Sequence, residues 1–194
     1  MRGLWLLLAL AACGPAASPN LRGLLSREQI DALPGPVLYA EIESLEASAI
    51  LQPAGDNDGA TTWATVDGVS LAMNGPLLVA TRGLGFDLMQ VDGRGTLSAL
   101  AGGRRDDYPR IHAYLDGENR TLFRAFRCVM TEGRPETIRS FGLERRTLRH
   151  EETCYSTGAP VVNVFWIGAD GTPWRTLQWV GPDVGPILTE TLTR

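Results

Sequence analysis

The sequence predicts a mainly β protein, an antiparallel meander that forms a bent sheet, a half-barrel or a sandwich, with one short N-terminal helix. Its clearest signal is a repeated pair in which glycine follows aspartate or asparagine between short apolar runs. Such pairs tolerate the positive φ angles that tight hairpin turns require. The pairs are Asp58-Gly59, Asp67-Gly68, Asn74-Gly75, Asp92-Gly93, Asp116-Gly117 and Asp170-Gly171. The second observation is that no segment shows sustained helical periodicity.

The first residues predict an exported lipoprotein. Arg2 precedes an apolar run at 4–12 that is too short to span a bilayer and ends in small residues, as cleaved signal peptides do. The cysteine that follows is the position before which a lipoprotein signal peptidase cuts. We therefore expect a signal peptide at 1–12 and Cys13 as the lipid-modified, palmitate-bearing mature N-terminus. An ordinary secretory signal followed by a chance cysteine is the alternative.

A tether and one helix are expected next. Residues 13–24 include a small, proline-containing stretch without periodicity, which suits a flexible connection to a membrane. A single β-rich domain is then expected at 25–194. Ser26 and Gln29 have the spacing of a reciprocal capping box, and the Pro-Gly-Pro run at 34–36 ends the helix soon afterwards.

The rest of the domain alternates candidate strands with turns. These strands are 37–42, 61–66, 76–81, 121–130, 145–155, 161–167 and 174–180. The segment 104–115 is irregular and compatible with a short helix. The last hairpin is the clearest element, because aromatic and β-branched residues flank its turn on both sides. A slip of one residue would exchange the faces that carry Trp166, Trp174 and Trp179, so the buried face should set the register.

Composition and cysteine count bound the class of protein. A chain of 194 residues with 44% hydrophobic content suits one globular domain with its own core. The formal net charge of -4 gives no electrostatic reason to expect nucleic-acid binding. With Cys13 assigned to lipid, Cys128 and Cys154 remain as a pair in an oxidising compartment, which predicts a disulfide between them. Two buried free thiols are the alternative.

Three blocks of the chain, at 26–34, 81–88 and 163–182, resemble the YjbF/GfcB-type lipoproteins, a bacterial family associated with exopolysaccharide and group 4 capsule production. The resemblance rests on residue types and their order beside the signal sequence. The motif residues are Thr81, Gly83, Leu84, Asp87, Asn163, Trp166, Trp174 and Gln178. The resemblance implies a β-rich lipoprotein and supplies no catalytic mechanism. The pair Cys128 and Cys154 is not part of this resemblance.

The resemblance also implies a role and a location. It implies a non-catalytic accessory in exopolysaccharide or capsule production or export, held to the membrane by its N-terminal lipid. Proteins of the export machinery are the implied partners, and the arginines crowded into the stretch 104–149 make an acidic polysaccharide a further candidate partner. Gly14 stands where inner-membrane lipoproteins commonly carry aspartate, which implies sorting to the Gram-negative outer membrane with the domain facing the periplasm.

Four residues are candidates for contact with the polysaccharide: Trp174, Trp179, Arg124 and Arg127. Tryptophan rings can stack on the apolar faces of sugars, and arginines can pair with acidic sugars. Packing in the core is the commoner use of tryptophan, and a solvated sheet face is the commoner place for arginine. Arg124 and Arg127 also point to opposite faces of one strand, so the sequence predicts no continuous basic stripe.

The glycines near Arg82 and Asp87 could form an anion-binding nest, but a strand ending in a turn is the favoured interpretation because no helix signal follows.

Catalytic and metal motifs are weak throughout. His112 and His150 are the two histidines, and neither lies in a metal-binding pattern. The chain lacks a Gly-x-Ser-x-Gly elbow, a phosphate loop and any cofactor motif. The run 56–59 lacks the spacing of a calcium loop, so it is interpreted as a polar turn. Two further hypotheses stay open: a carrier or acceptor of amphiphiles, with an acyl chain in an apolar concavity, and a glycan-modifying enzyme with paired carboxylates.

Overall fold

Thirteen antiparallel strands form one sheet in the computed structural model, which describes residues 20–115, 118 and 120–193. The strands are β1 (Val37–Ile42), β2 (Ala47–Asn57), β3 (Ala60–Ala64), β4 (Ser70–Asn74), β5 (Leu77–Arg82), β6 (Leu88–Asp92), β7 (Tyr108–Leu115), β8 (Thr121–Met130), β9 (Arg134–Ser140), β10 (Leu143–Tyr155), β11 (Val161–Ile167), β12 (Pro173–Gly181) and β13 (Gly185–Thr193). The helices are α1 (Arg27–Asp31) and α2 (Arg94–Leu100), and 3₁₀ turns lie at Leu21–Gly23 and Glu43–Leu45. The predicted signal peptide and Cys13 lie outside the described residues.

The sheet is a nearly closed barrel. Most strands pair with their neighbours in sequence, and β13 returns to pair with β1, so the first and last strands lie side by side. β9 and β8 share one side of β10: β9 pairs with its first half and β8 with its second. The sheet ends at β5 and β6, which have no backbone ladder between them. The predicted antiparallel meander is confirmed, and of the three predicted shapes the bent half-barrel describes it best.

Most of the predicted turns connect hairpins. At the turn between β2 and β3, Asp58 and Gly59 have φ angles of 48° and 79°, as a tight primed turn requires. The pairs at 67–68, 74–75 and 170–171 also lie between paired strands. The hairpin predicted at Asp92-Gly93 is wrong, because Gly93 has a φ of -122° and precedes α2. Asp116 and Gly117 lie outside the described residues.

Strand prediction succeeded where alternation was strong. The segments 37–42, 121–130 and 161–167 match β1, β8 and β11 residue for residue. The segment 104–115, where a short helix was compatible with the sequence, contains β7 instead. Helix α2 was missed because its glycine weakens the helical signal. That glycine is needed for packing, since a Cβ on Gly95 would lie 2.6 Å from the ring of Tyr108.

Helix α1 forms as predicted. The hydroxyl of Ser26 accepts a hydrogen bond from the amide of Gln29, and the Gln29 side chain accepts one from the amide of Ser26. Ile30 on this helix is buried against Tyr39 and Leu192 on the outer face of the barrel. The helix therefore lies outside the barrel, over β1 and β13.

The interior has two chemically different sides. One side, called here the aliphatic half, is centred on the inner faces of β1–β5 and β13, with Leu38, Leu51, Leu71 and Ile187 in its core. This core continues onto β6 and β12 through Leu88 and Val180. The other, called here the polar half, is formed by β6–β12 and α2, and combines aromatic side chains with buried charges. Helix α2 joins β6 to β7 at one end of the barrel, and Thr96 and Ala99 on it are fully buried.

The opposite end of the barrel is called here the mouth. It carries the 3₁₀ turn Glu43–Leu45, the turn at 65–69 and the loop at 83–87. Within residues 20–115, 118 and 120–193, no helix has the length and hydropathy needed to cross a membrane.

Candidate functional site

An apolar cavity opens at the mouth, inside the aliphatic half. Its volume is about 270 Å³. Inward-facing residues of β1 and β2 form much of its wall, because Ala40 pairs with Ala49 and Ile42 pairs with Ala47 across the two strands. Small side chains at these inward positions leave space that larger residues would fill. The lining residues are Ala40, Ile42, Leu45, Ala47, Ser48, Ala49, Leu51, Thr65, Asp67, Val69, Leu71, Gly83, Leu84 and Ile187.

The rim of the mouth is apolar at two turns. Leu45 is 44% exposed although it lines the cavity, and Val66 is fully exposed at the turn between β3 and β4. Among the described residues of the lining, Asp67 is the one charged side chain, and it accepts a hydrogen bond from the hydroxyl of Thr65. The cavity is therefore suited to an apolar group and offers no cation to an anionic one.

The loop between β5 and β6 closes the gap in the sheet with side chains. Asp87 accepts hydrogen bonds from the amides of Gly83 (2.9 Å) and Leu84 (3.2 Å) and from the hydroxyl of Thr81 (2.9 Å). The Thr81 hydroxyl in turn accepts a bond of 2.9 Å from the amide of Leu88 on β6. We call this arrangement the seam clasp. The favoured interpretation, a strand that ends in a turn, is confirmed, because β5 ends at Arg82. The alternative, an anion-binding nest, is also present in the amides that follow, with Gly83 at a φ of 86°, and the anion in the nest is the chain's own Asp87.

The other motif residues also join strands. Gln178 on β12 accepts a hydrogen bond from the amide of Leu78 (3.0 Å) and donates to the carbonyl of Pro76 (2.9 Å). Asn163 on β11 accepts from the amide of Trp179 at 2.8 Å. These bonds cross the barrel interior or bridge neighbouring strands. These residues of the family motif therefore make contacts that hold the barrel together.

A buried ion pair lies in the polar half. Arg110 on β7 and Glu152 on β10 are 1% and 0% exposed. One oxygen of Glu152 accepts from Arg110 (2.9 Å) and Asn163 (2.7 Å). The other accepts from Thr96 (2.5 Å) and Tyr108 (2.9 Å). Both charges are therefore compensated, and burial beside the carboxylate raises the pKa of Tyr108, which keeps its proton.

A chain of hydrogen bonds continues from this pair. Arg110 Nε donates to His112 Nε2 at 2.9 Å, which places the histidine proton on Nδ1. Nδ1 then donates to the hydroxyl of Tyr114 (2.9 Å), and that hydroxyl donates to the carbonyl of Val180 (2.5 Å). Burial and the neighbouring Arg110 lower the pKa of His112 well below its ordinary value. The histidine is therefore neutral, as an acceptor for arginine must be.

Sequence reasoning missed Arg110 and Glu152, because charged residues in strands are usually solvent-exposed. One signal was present. His150, Glu152 and Cys154 alternate along β10 and so share one strand face, and a disulfide at Cys154 favours the buried face for all three.

A disulfide joins two neighbouring strands in the polar half. Cys128 on β8 and Cys154 on β10 are directly opposed in the ladder and form a disulfide. Glu152 lies near them, so three atoms of metal-ligand type fall within 4.8 Å of one another. Both sulfurs are in the disulfide and the carboxylate accepts hydrogen bonds on both oxygens, so this arrangement is suited to structural support.

The structure brings together two of the four candidate glycan-contact residues. The guanidinium of Arg124 lies 5.3 Å from the Trp179 ring and donates to the carbonyl of Thr157 at 3.0 Å. The Trp179 ring also packs between His112 and Phe126 in the interior. A platform for sugars would need this ring to be free on one face.

The other two candidates lie elsewhere on the barrel. Arg127 on β8 is exposed and bonded to Asp107 (2.7 Å). Trp174 begins β12, packs beside Ile138 and carries the guanidinium of Arg145 at 4.3 Å from its ring. Arg127 and Trp174 are thus separated from Arg124 and Trp179, and the four residues do not form one surface. A contact with glycan at any of them stays a prediction.

Comparison with known proteins gives two results. The family described as "Group 4 capsule polysaccharide lipoprotein gfcB, YjbF" matches residues 15–192. The crystal structure of the hypothetical lipoprotein YmcC from Escherichia coli (K12) has a similar fold, with a TM-score of 0.75, 20% sequence identity, and coverage of 88% of this chain and 89% of that chain. At this identity the likeness shows the fold alone. None of the curated proteins matches the chain.

Proposed function

The chain belongs to the YjbF family of group 4 capsule polysaccharide lipoproteins, and from this membership we propose that it is a non-catalytic accessory in exopolysaccharide or capsule production or export. The match over residues 15–192 is the observation that carries the proposal, because it spans nearly all of the chain after the predicted signal peptide. Its candidate partners are acidic polysaccharide and proteins of the export machinery.

The proposed location follows from the N-terminal residues. Cys13 carries the lipid, and Gly14 directs the mature protein to the outer membrane, with the barrel in the periplasm. Stable anchoring needs more than a single acyl chain, and a bacterial lipoprotein anchor has several. The tether between Cys13 and the first described residue, Asn20, then keeps the barrel close to the membrane surface.

The buried groups support a non-catalytic role. Glu152, Arg110 and His112 are the strongest candidates for acid, base or electrostatic chemistry, and each is at most 1% exposed. Their hydrogen bonds go to one another and to neighbouring side chains, so a substrate would have to replace an internal network. A glycan-modifying enzyme with paired carboxylates needs an accessible acid and base.

A deletion strain tests the proposal. We expect secreted and surface polysaccharide to fall when the gene is removed, and to recover with the wild-type chain but not with Cys13→Ser. A chain carrying Gly14→Asp is the matched control for location, because it keeps the lipid and changes the sorting residue. Unchanged polymer in the deletion strain would contradict the proposal. Recovery with a Cys13→Ser chain would contradict the need for the lipid.

A second candidate function is favoured by the cavity at the mouth. Its apolar wall and its position at the end of a barrel are typical of sites that hold small apolar ligands. On this basis the protein holds an acyl chain. Mass spectrometry of organic extracts from the purified protein tests this, with an Ala49→Phe variant as the control, because its added ring fills the cavity. Equal lipid in both extracts would contradict the binding of a free lipid in the cavity.

A further inference from the structure

We infer that the cavity at the mouth holds an acyl chain of the lipid attached to this protein's own Cys13. The inference rests on the proposed lipidation and on the second candidate function, and it names the source of the acyl chain. Three observations carry it: the point where the tether meets the barrel, the charge of the cavity lining, and the size of the cavity.

The tether meets the outer face of the barrel near the mouth. The amide of Leu21 donates to the hydroxyl of Ser48 at 2.9 Å, and the Asn20 side chain donates to Glu41. Glu41 and Ser48 pair with each other on the outer face of β1 and β2, three positions or fewer from the turn Glu43–Leu45 at the rim. Six residues lie between Cys13 and Asn20, and the seven Cα-to-Cα steps of that segment span about 24 Å when extended. The lipid on Cys13 is therefore within reach of the mouth.

The charge of the lining favours this lipid over a free phospholipid. The single charged group among the described lining residues is the carboxylate of Asp67. A phospholipid placed with its tail in the cavity would hold its phosphate near that like charge without a lining cation as partner. The glyceryl lipid on a lipoprotein cysteine carries no phosphate, so its acyl chain enters without this repulsion.

The size of the cavity fits part of one acyl chain. A volume of about 270 Å³ is just below the roughly 300–1,000 Å³ of sites that enclose whole small molecules. Leu45 and Val66 extend the apolar surface beyond the opening, where the remaining methylenes can lie. One chain of the anchor is thus sheltered at the mouth while the others stay in the membrane.

Photocrosslinking in the intact, membrane-extracted protein tests the inference. A benzophenone amino acid replaces Leu45 at the rim or, as a control, Leu148 on β10; both leucines are 44% exposed. Mass spectrometry first reports whether the mature N-terminus is lipidated, and then which molecule is attached at each position. We expect the acylated N-terminal peptide at position 45, at least about tenfold above position 148. Mixing isotope-labelled with unlabelled protein shows whether the link lies within one chain.

Ala49→Phe supplies a second test. Its ring fills the cavity, so the link from position 45 to the acylated peptide should fall about tenfold while the melting temperature shows that the barrel stays folded. An unlipidated N-terminus overturns both this inference and the proposed anchoring. A lipidated N-terminus with equal links at positions 45 and 148, with no link, or with a link to free phospholipid overturns the inference alone, and the last result favours carriage of foreign lipid.

Discussion

The aliphatic half and the polar half of the barrel differ in the side chains that line them and in how completely those side chains fill the interior. The aliphatic half is lined by hydrocarbon side chains and keeps an open cavity beside Ala40 and Ala49. The polar half is filled, with Arg110, Glu152 and His112 in a continuous hydrogen-bonded chain and a disulfide nearby. Buried charges need fixed partners, so the side chains of the polar half are held in one arrangement. The apolar wall of the cavity makes no such demand, which suits it to an apolar ligand.

The loop of the seam clasp links the two halves. Leu84 lines the cavity of the aliphatic half. Phe86, two residues later, packs its ring 5.0 Å from that of Tyr114 in the polar half. Asp87 holds the loop between them. The contrast between the halves can be tested by changing one group at a time.

The largest effect is expected from Glu152→Gln. This change leaves the Arg110 charge buried without its partner, and breaking a buried pair costs about 3–5 kcal/mol. Urea unfolding measures the loss. Glu151→Gln is the matched control, because Glu151 directly precedes Glu152 and bonds Arg149 on the partly exposed outer face. The loss of stability in this control should stay below about 1 kcal/mol. Equal losses in the two variants would show that the polar half does not depend on its ion pair.

The double variant Cys128→Ser, Cys154→Ser should lower stability by about 3 kcal/mol, because the disulfide closes a long loop in the unfolded chain. Its effect belongs to the polar half, so hydrogen exchange should rise first in β8 and β10. Reduction of the wild-type protein with dithiothreitol in urea should shift the midpoint to that of the double variant. No shift on reduction would mean that the two sulfurs are not bonded in the isolated protein.

Asp87→Ala should open the seam between β5 and β6 at a cost of about 1–2 kcal/mol, since several donors lose their acceptor. The expected signature is local: amides of β5 and β6 exchange faster, and amides of β10 do not change. Asp183→Ala, at an exposed position between β12 and β13, is the control aspartate outside the clasp. Faster exchange in β10, or none in β5 and β6, would contradict the role given to the clasp.

Acid should weaken the polar half through His112. Its pKa is lowered by burial in the folded protein, so below the ordinary value of 6.5 the unfolded chain takes up the proton first. Stability should therefore fall as the pH drops below 6.5, by at most about 1.4 kcal/mol per unit. The pKa of His150 is lowered in the same direction. The pH slope of unfolding should flatten more in His112→Gln than in His150→Gln, and the reverse order would assign the slope to His150.

The smallest effect is expected from filling the cavity. Ala49→Leu places methyl groups in open space, so stability should change by less than about 1 kcal/mol. Ala99→Leu is the matched change in the polar half, where Ala99 is fully buried, and overpacking there costs about 1–3 kcal/mol. Thermal melts of both variants measure the difference. Similar losses of stability in the two variants would mean that the cavity has no room for a ligand.

Several elements were predictable from the sequence because their signals are local. The strands at 37–42, 121–130 and 161–167 follow from alternation between turn residues, and helix α1 follows from its capping box. Strand β9 was missed since Arg134–Ser140 is polar and contains proline. Its pairing depends on the neighbouring strand β10, which a local pattern does not report.

The sequence by itself determined the chemistry available: a mainly β chain with hairpin turns, a lipoprotein-type N-terminus and a family motif. Only the tertiary structure decided what that chemistry does. It paired β1 with β13, placed Asp87 in the nest made by its own loop, and brought Arg110 to Glu152 across 42 positions of chain. Contacts between distant segments depend on the closure of the whole sheet, and local preferences along the chain carry little information about it.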